Sequence, residues 1–175
     1  TPILNQSNER NASLLDRNGR ITAVSVGVPQ LMLCSSLPVR FAAEFFGDDI
    51  HPGDVFLAND PYHGGGHLPD YNVFAPVFAD GRRIMFASIQ CHHGDTGGSV
   101  PGGYNVTADS VWGEGVRFPA IRVMDAGVER RDLLYALGVN NRSPGYLGDL
   151  RAQMGAAQLG AARLTEVLEH HGAAT

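Results

Sequence analysis

His63, His67, Asp70, His92, His93 and Asp95 gather four imidazoles and two carboxylates beside glycine-rich turns. The stretch that carries them opens Asn59-Asp60-Pro61-Tyr62-His63-Gly64-Gly65-Gly66-His67-Leu68-Pro69-Asp70 and closes Cys91-His92-His93-Gly94-Asp95-Thr96-Gly97-Gly98. Histidine and carboxylate donors together suit zinc, manganese or iron in a catalytic role, where coordination positions stay open to water or substrate. A closed structural zinc site would need four ligands, usually with more cysteine than the single Cys91 nearby. The competing reading is that such turns attract Asp and His for local hydrogen bonding alone.

The residues between the two clusters must bring them together. Val73–Phe78 and Ile84–Ile89 are apolar runs of strand length around Asp80-Gly81, a dipeptide that favours a tight hairpin. With Asp80 and Gly81 as the loop, partners have numbers summing to 161, so Asp70 falls opposite Cys91 and the polar clusters meet at the hairpin's open end. Side chains alternate faces, so this register groups Asp70 with Cys91 and His93; a three-residue loop or one bulge groups it with His92 instead. Pro76 favours a bulge or an edge position. The choice between His92 and His93 stays open at this level.

A chain of 175 residues is one domain's worth, long enough for its own core. No apolar run is long enough to cross a bilayer and no signal peptide opens the chain, so a cytoplasmic protein is expected. A net charge of −5 and scattered arginines argue against a nucleic-acid partner. All 13 Lys-or-Arg positions are arginine. Without lysine there is no Schiff base, no pyridoxal phosphate anchor and no phosphate loop ending in Lys-Ser or Lys-Thr, so nucleotide chemistry would fall to a partner chain or another segment. Cys34 and Cys91 form no Cys-x-x-Cys motif, which fits a reducing compartment. Cys91 and His92, adjacent in an extended segment, point to opposite faces and make a poor nucleophile and base.

Along the chain, Thr1–Arg10 lacks periodicity and resembles a beginning cut from something longer. Leu14–Val26 reads as a hairpin with Asn18-Gly19 in its turn, Pro38–Phe46 as a short helix stopped by Gly47, and Val55–Ala58 as a buried strand. The glycine-rich loop Gly97–Tyr104 exposes consecutive backbone N–H groups and is expected to line a site. Glu114, between Gly113 and Gly115, is a further candidate acid. A strand over Ile121–Met124 and a long helix over Leu147–His170 complete the reading, with Gly155, Ala156, Gly160 and Ala161 allowing close approach. The expected fold class is α+β: a β-hairpin-rich mixed domain with the long C-terminal helix packed on its sheet.

A set of short motifs follows in order over nearly the whole length: Pro52-Gly53-Asp54, Asn59-Asp60-Pro61-Tyr62, Gly65 with His67-Leu68-Pro69-Asp70, His92 with Asp95, Gly97 and Gly98, Pro101-Gly102, Glu114-Gly115, and Gly148-Asp149-Leu150-Arg151-Ala152. In them the chain resembles the hydantoinase B / oxoprolinase family, which includes the alpha-type subunits of acetone and acetophenone carboxylases. Members are much longer, so residues 1–175 are expected to be a single domain forming an N-terminal portion of such a subunit. The resemblance carries the family's metal ligands onto His67, Asp70 and His92, selecting His92 and the shifted register. Gly66 stands where threonine is usual, and Cys91 where a small residue is common.

What the resemblance implies is the metal-bearing subunit of an ATP-dependent amidohydrolase that opens a cyclic amide of the hydantoin or 5-oxoproline type. Its alternatives are an alpha-type subunit of an ATP-dependent ketone carboxylase and, in another class, a non-catalytic assembly piece. One divalent metal, zinc, manganese or iron, would polarise a carbonyl or activate water. Asp95 or Glu114 would serve as general base, with Asp95 also the expected partner orienting a ring nitrogen. ATP-Mg would be bound by a hydantoinase A-like partner subunit. The remaining partner is a small cyclic amide or ketone; neither nucleic acid nor membrane is expected.

Overall fold

Apolar residues on alternate positions of short segments give strands, and seven such strands assemble into one antiparallel sheet in the order β2-β1-β5-β4-β3-β6-β7. They are β1 (Arg10–Asp16), β2 (Ile21–Val24), β3 (Val55–Ala58), β4 (Asp70–Ala79), β5 (Arg82–His92), β6 (Ile121–Asp125) and β7 (Val128–Glu129). The helices are α1 (Pro29–Leu33), α2 (Ser36–Phe46), α3 (Val111–Glu114), α4 (Arg131–Val139) and α5 (Tyr146–His171). The structure, a computed structural model, describes residues 8–102 and 104–172. Most of the irregular stretch expected at the N-terminus, and Gly103 of the glycine-rich loop, lie outside these.

The α+β expectation holds, with the long hairpin at the centre of the sheet and the long helix packed on it. Both sheet faces are covered. On one, Leu15, Phe56, Phe74 and Phe86 pack beneath Val39 and Ala42 of α2. On the other, Val55, Leu57, Val73 and Ala75 lie under Leu150, Met154 and Ala157 of α5 and under Leu134 and Leu137 of α4. Each of the buried Val, Leu, Phe and Met side chains among these contributes roughly 1.5–3 kcal/mol. Gly160 lets α5 descend onto β5, because a Cβ there would sit 3.1 Å from the Ala87 Cβ; Gly155, by contrast, faces open space. Among the described residues no helix is long and apolar enough to cross a membrane.

The short helices α1 and α4 go beyond the sequence reading. Neither has a side-chain N-cap hydrogen bond, and at five and nine residues each depends on packing against the rest of the fold. The N-terminal hairpin forms as expected, its turn closed by Asp16, whose carboxylate accepts from the N–H groups of Asn18 and Arg20.

The central hairpin sets the site. Asp80 and Gly81 both take positive φ, 51° and 71°, as a type I′ turn requires. Ala79 faces Arg82 and Phe78 faces Arg83, but Val77 faces Met85, so Ile84 is an extra residue bulged out of β5. Beyond the bulge partner numbers sum to 162, and Asp70 lies opposite His92. The neighbouring Pro76 falls beyond Phe74, the last β4 residue paired with β3, where β4 is locally an edge and a missing N–H is tolerated.

Candidate metal centre

Asp70 begins β4 and His92 ends β5, so the register sets the two side chains face to face on the same side of the sheet. His92 Nδ1 and Asp70 Oδ1 are 2.8 Å apart, and both residues are buried. The loop before β4 delivers the third residue. Asp60 caps a 3-10 turn over Pro61–His63, and Gly65 is drawn so close to it that a Cβ would lie 2.5 Å from the Asn59 carbonyl oxygen. Buried Asn59 pins the loop: its amide donates to the carbonyls of Leu68 and Val116, and its oxygen accepts from the Phe118 N–H. The Asp70 N–H donates to the His67 carbonyl, closing the turn. Among the described residues, His67, Asp70 and His92 form a group whose ligand atoms all lie within 4.8 Å of one another.

The glycine-rich loop reaches over this group, as expected. Tyr104 places its ring 4.6 Å from that of His67 and 6.0 Å from that of His92, and the two imidazoles stack at 5.8 Å. Glu9 also approaches, with its carboxylate 3.9 Å from His92 Nδ1. Neither Tyr104 nor Glu9 stands out in the sequence: one ends a loop read for its backbone, the other precedes a strand that joins β5 through non-local pairing.

His93, the competitor of His92, turns to the opposite face, as alternation demands. There it is buried against the rings of Tyr71 and Tyr146, and its Nε2 pairs with Gln153 Oε1 at 3.0 Å. Burial pulls its pKa down to about 4, so the ring is neutral at ordinary pH. Gln153 also donates to the carbonyls of Tyr71 and Ile89, one on each strand of the hairpin, both at 2.7 Å. His63 is likewise engaged elsewhere: its Nδ1 lies 2.7 Å from Asp60 Oδ2, and Asp60 takes a two-pronged grip from Arg117. Cys91 is buried on the side away from His92, and burial pushes its thiol up to about 12, which removes it as a nucleophile.

Asp95 is engaged otherwise than the role of a base or of a histidine's orienting partner requires. Its carboxylate accepts from the Gly97 N–H, the Arg142 N–H and the Arg142 guanidinium, the last through two nitrogens. Burial opposes its charge, but the bonds from Arg142 and Gly97 outweigh that and hold the carboxyl below its usual value. Arg142 donates onward to the carbonyls of Gly98 and Val100, so the pair anchors the glycine-rich loop. Glu114 ends α3; its carbonyl accepts from the Thr96 hydroxyl, and its carboxylate is outside the group of His67, Asp70 and His92. Two imidazoles and a buried carboxylate within 4.8 Å of one another are a donor set that fits one divalent cation with positions to spare.

Known proteins carry the same arrangement of chain. The beta subunit of caprolactamase from Pseudomonas jessenii is 34% identical over 172 residues, covering 97% of this chain and 29% of the relative. 5-Oxoprolinase 1 of Arabidopsis thaliana is 30% identical over 178 residues, 94% of this chain and 14% of the relative. The crystal structure of ATP-dependent caprolactamase from Pseudomonas jessenii matches with a TM-score of 0.89 at 33% identity, over 95% of this chain and 29% of that one. The chain therefore spans less than a third of the length of these relatives. A family model described as Hydantoinase B/oxoprolinase matches residues 1–175, the full sequence, and the chain belongs to that family.

Proposed function

We propose that this chain is the metal-bearing part of an ATP-dependent amidohydrolase that opens a cyclic amide of the hydantoin or 5-oxoproline type. In this reading His67, Asp70 and His92 hold one divalent ion, zinc, manganese or iron. The observation that carries it is the convergence of these three side chains at the hairpin mouth. When bound, the ion would polarise the amide carbonyl or lower the pKa of a water. Asp70 fixes the His92 ring by its hydrogen bond and supplies negative charge where burial makes that charge count most. Tyr104 sets its ring beside both imidazoles. Of the two carboxylates expected to move protons, Glu114 remains, since Asp95 commits its lone pairs to Arg142 and Gly97.

A sequence without lysine or a phosphate loop fits an arrangement in which a partner subunit of the hydantoinase A type holds ATP-Mg. The caprolactamase relative, itself a beta subunit, supports this division of labour. The test is co-purification of the full-length subunit with its ATP-binding partner, followed by assays of nucleotide turnover. Turnover stimulated by hydantoin, 5-oxoproline or another lactam, and abolished by chelation, is expected. Stimulation by ketones with bicarbonate instead would make it a carboxylase, and no turnover with either class would leave an assembly role.

A further inference from the structure

Helix α2 is apolar nearly all round: of its 11 residues, only Ser36, Arg40 and Glu44 are polar. One face, with Pro38, Val39 and Ala42, is buried on the sheet. The other carries Leu37, Phe41 and Phe45 at four-residue spacing, which aligns them in one ridge. Along it Leu37 and Phe45 are 53% and 68% exposed. A helix with large apolar side chains on both faces is suited to burial on both. The ridge continues into the loop that delivers His67. Phe41 stacks with Phe45 at 5.7 Å and meets the His63 ring edge-on at 4.4 Å. Leu37 lies against Gly64, where a Cβ would come within 2.1 Å of the Leu37 Cβ. Tyr62, 73% exposed, carries the Arg117 guanidinium over its ring at 4.8 Å. Arg117 in turn holds the buried Asp60 carboxylate through two nitrogens, so this ion pair is closed on itself. The patch is contiguous, aromatic and without an unmet charge at its centre, which is the make-up of the water-excluding core of an interface.

We infer that this face docks an apolar segment of the same subunit, supplied by chain outside residues 1–175. The match to the caprolactamase beta subunit takes 97% of this chain but 29% of that relative, so over two thirds of a subunit of that size is there to provide the cover. A segment tethered in the same chain meets the patch at a high effective concentration, an advantage that a separate molecule lacks. Apolar side chains suit the patch, because Arg117 has already given its charge to Asp60 and leaves little for an acidic segment or a phosphate. Covering Tyr62 and His63 also braces the 3-10 turn over Pro61–His63, and with it the loop that presents His67 to Asp70 and His92. The dock is independent of which amide or ketone the subunit takes.

Hydroxyl-radical footprinting read by mass spectrometry tests this on the unmodified full-length subunit, with no variant that could misfold. Leu37, Phe45 and Tyr62 are expected to be oxidised about tenfold more slowly in the native subunit than in the unfolded chain, as side chains in a water-excluding contact are. That protection should be the same at every protein concentration, and with or without the ATP-binding partner subunit. Oxidation of Phe45 and Tyr62 at the rates of exposed side chains in the isolated subunit would overturn the inference. Protection that appears only when the partner is added would overturn it by assigning the face to that partner. Protection that grows with protein concentration would overturn it in favour of a second copy of the chain.

Discussion

Replacing Gln153 with leucine keeps most of the side-chain volume but removes three buried hydrogen bonds: to the carbonyls of Tyr71 and Ile89, and from His93 Nε2. Those partners stay where the fold puts them, one on each strand of the central hairpin and one at its mouth. At about 1–3 kcal/mol for each group left unsatisfied, three groups sum to roughly 3–9 kcal/mol, a large share of a domain's total of about 5–15 kcal/mol. Urea denaturation followed by circular dichroism reads the loss directly. Gln158→Leu on the same helix is the control, since among the described residues the Gln158 amide meets only the Met124 sulfur and its replacement should cost less than about 1 kcal/mol. Because Tyr71 adjoins Asp70, metal affinity should fall in Gln153→Leu even where the protein stays folded. A loss no larger than that of Gln158→Leu would refute the view that α5 clamps the hairpin mouth.

Stability should also depend on pH through His93. The native ring holds its pKa near about 4, whereas an unfolded histidine titrates near about 6.5, so between these values only the unfolded state takes the proton. The contribution is complete above about pH 6.5 and is lost as pH falls toward 4, on the order of 3 kcal/mol in all; urea midpoints at the two ends of this window check it, and equal midpoints would contradict it. Arg142→Ala should release the glycine-rich loop, seen as faster proteolysis between residues 97 and 104, while metal content is retained. In Gly98→Ala the new Cβ would lie 2.3 Å from the Glu114 carbonyl oxygen, backbone that cannot move aside cheaply. A destabilisation of roughly 1–3 kcal/mol in thermal melts is expected.

Local chemistry made the central hairpin legible. Asp80-Gly81 announces a type I′ turn, and the apolar runs on either side announce the strands. Register was another matter. It depends on the bulge at Ile84, an ordinary apolar residue whose sequence context carries no signal for leaving the ladder, so alternation alone could not choose between His92 and His93. The long helix was readable from its apolar stripe to within a residue at each end, whereas α1 and α4 are too short to declare themselves without the sheet they rest on. The engagement of Asp95 was not legible because its partner Arg142 lies 47 residues along the chain, and a carboxylate in a glycine-rich turn looks the same whether free or neutralised.

The most direct test of the account is elemental analysis of the full-length subunit beside single variants. His67→Ala, Asp70→Asn and His92→Ala should each lose most of the bound divalent metal. His63→Ala, whose native ring is bound to Asp60, should keep it. Metal content unchanged in His92→Ala would contradict the central claim.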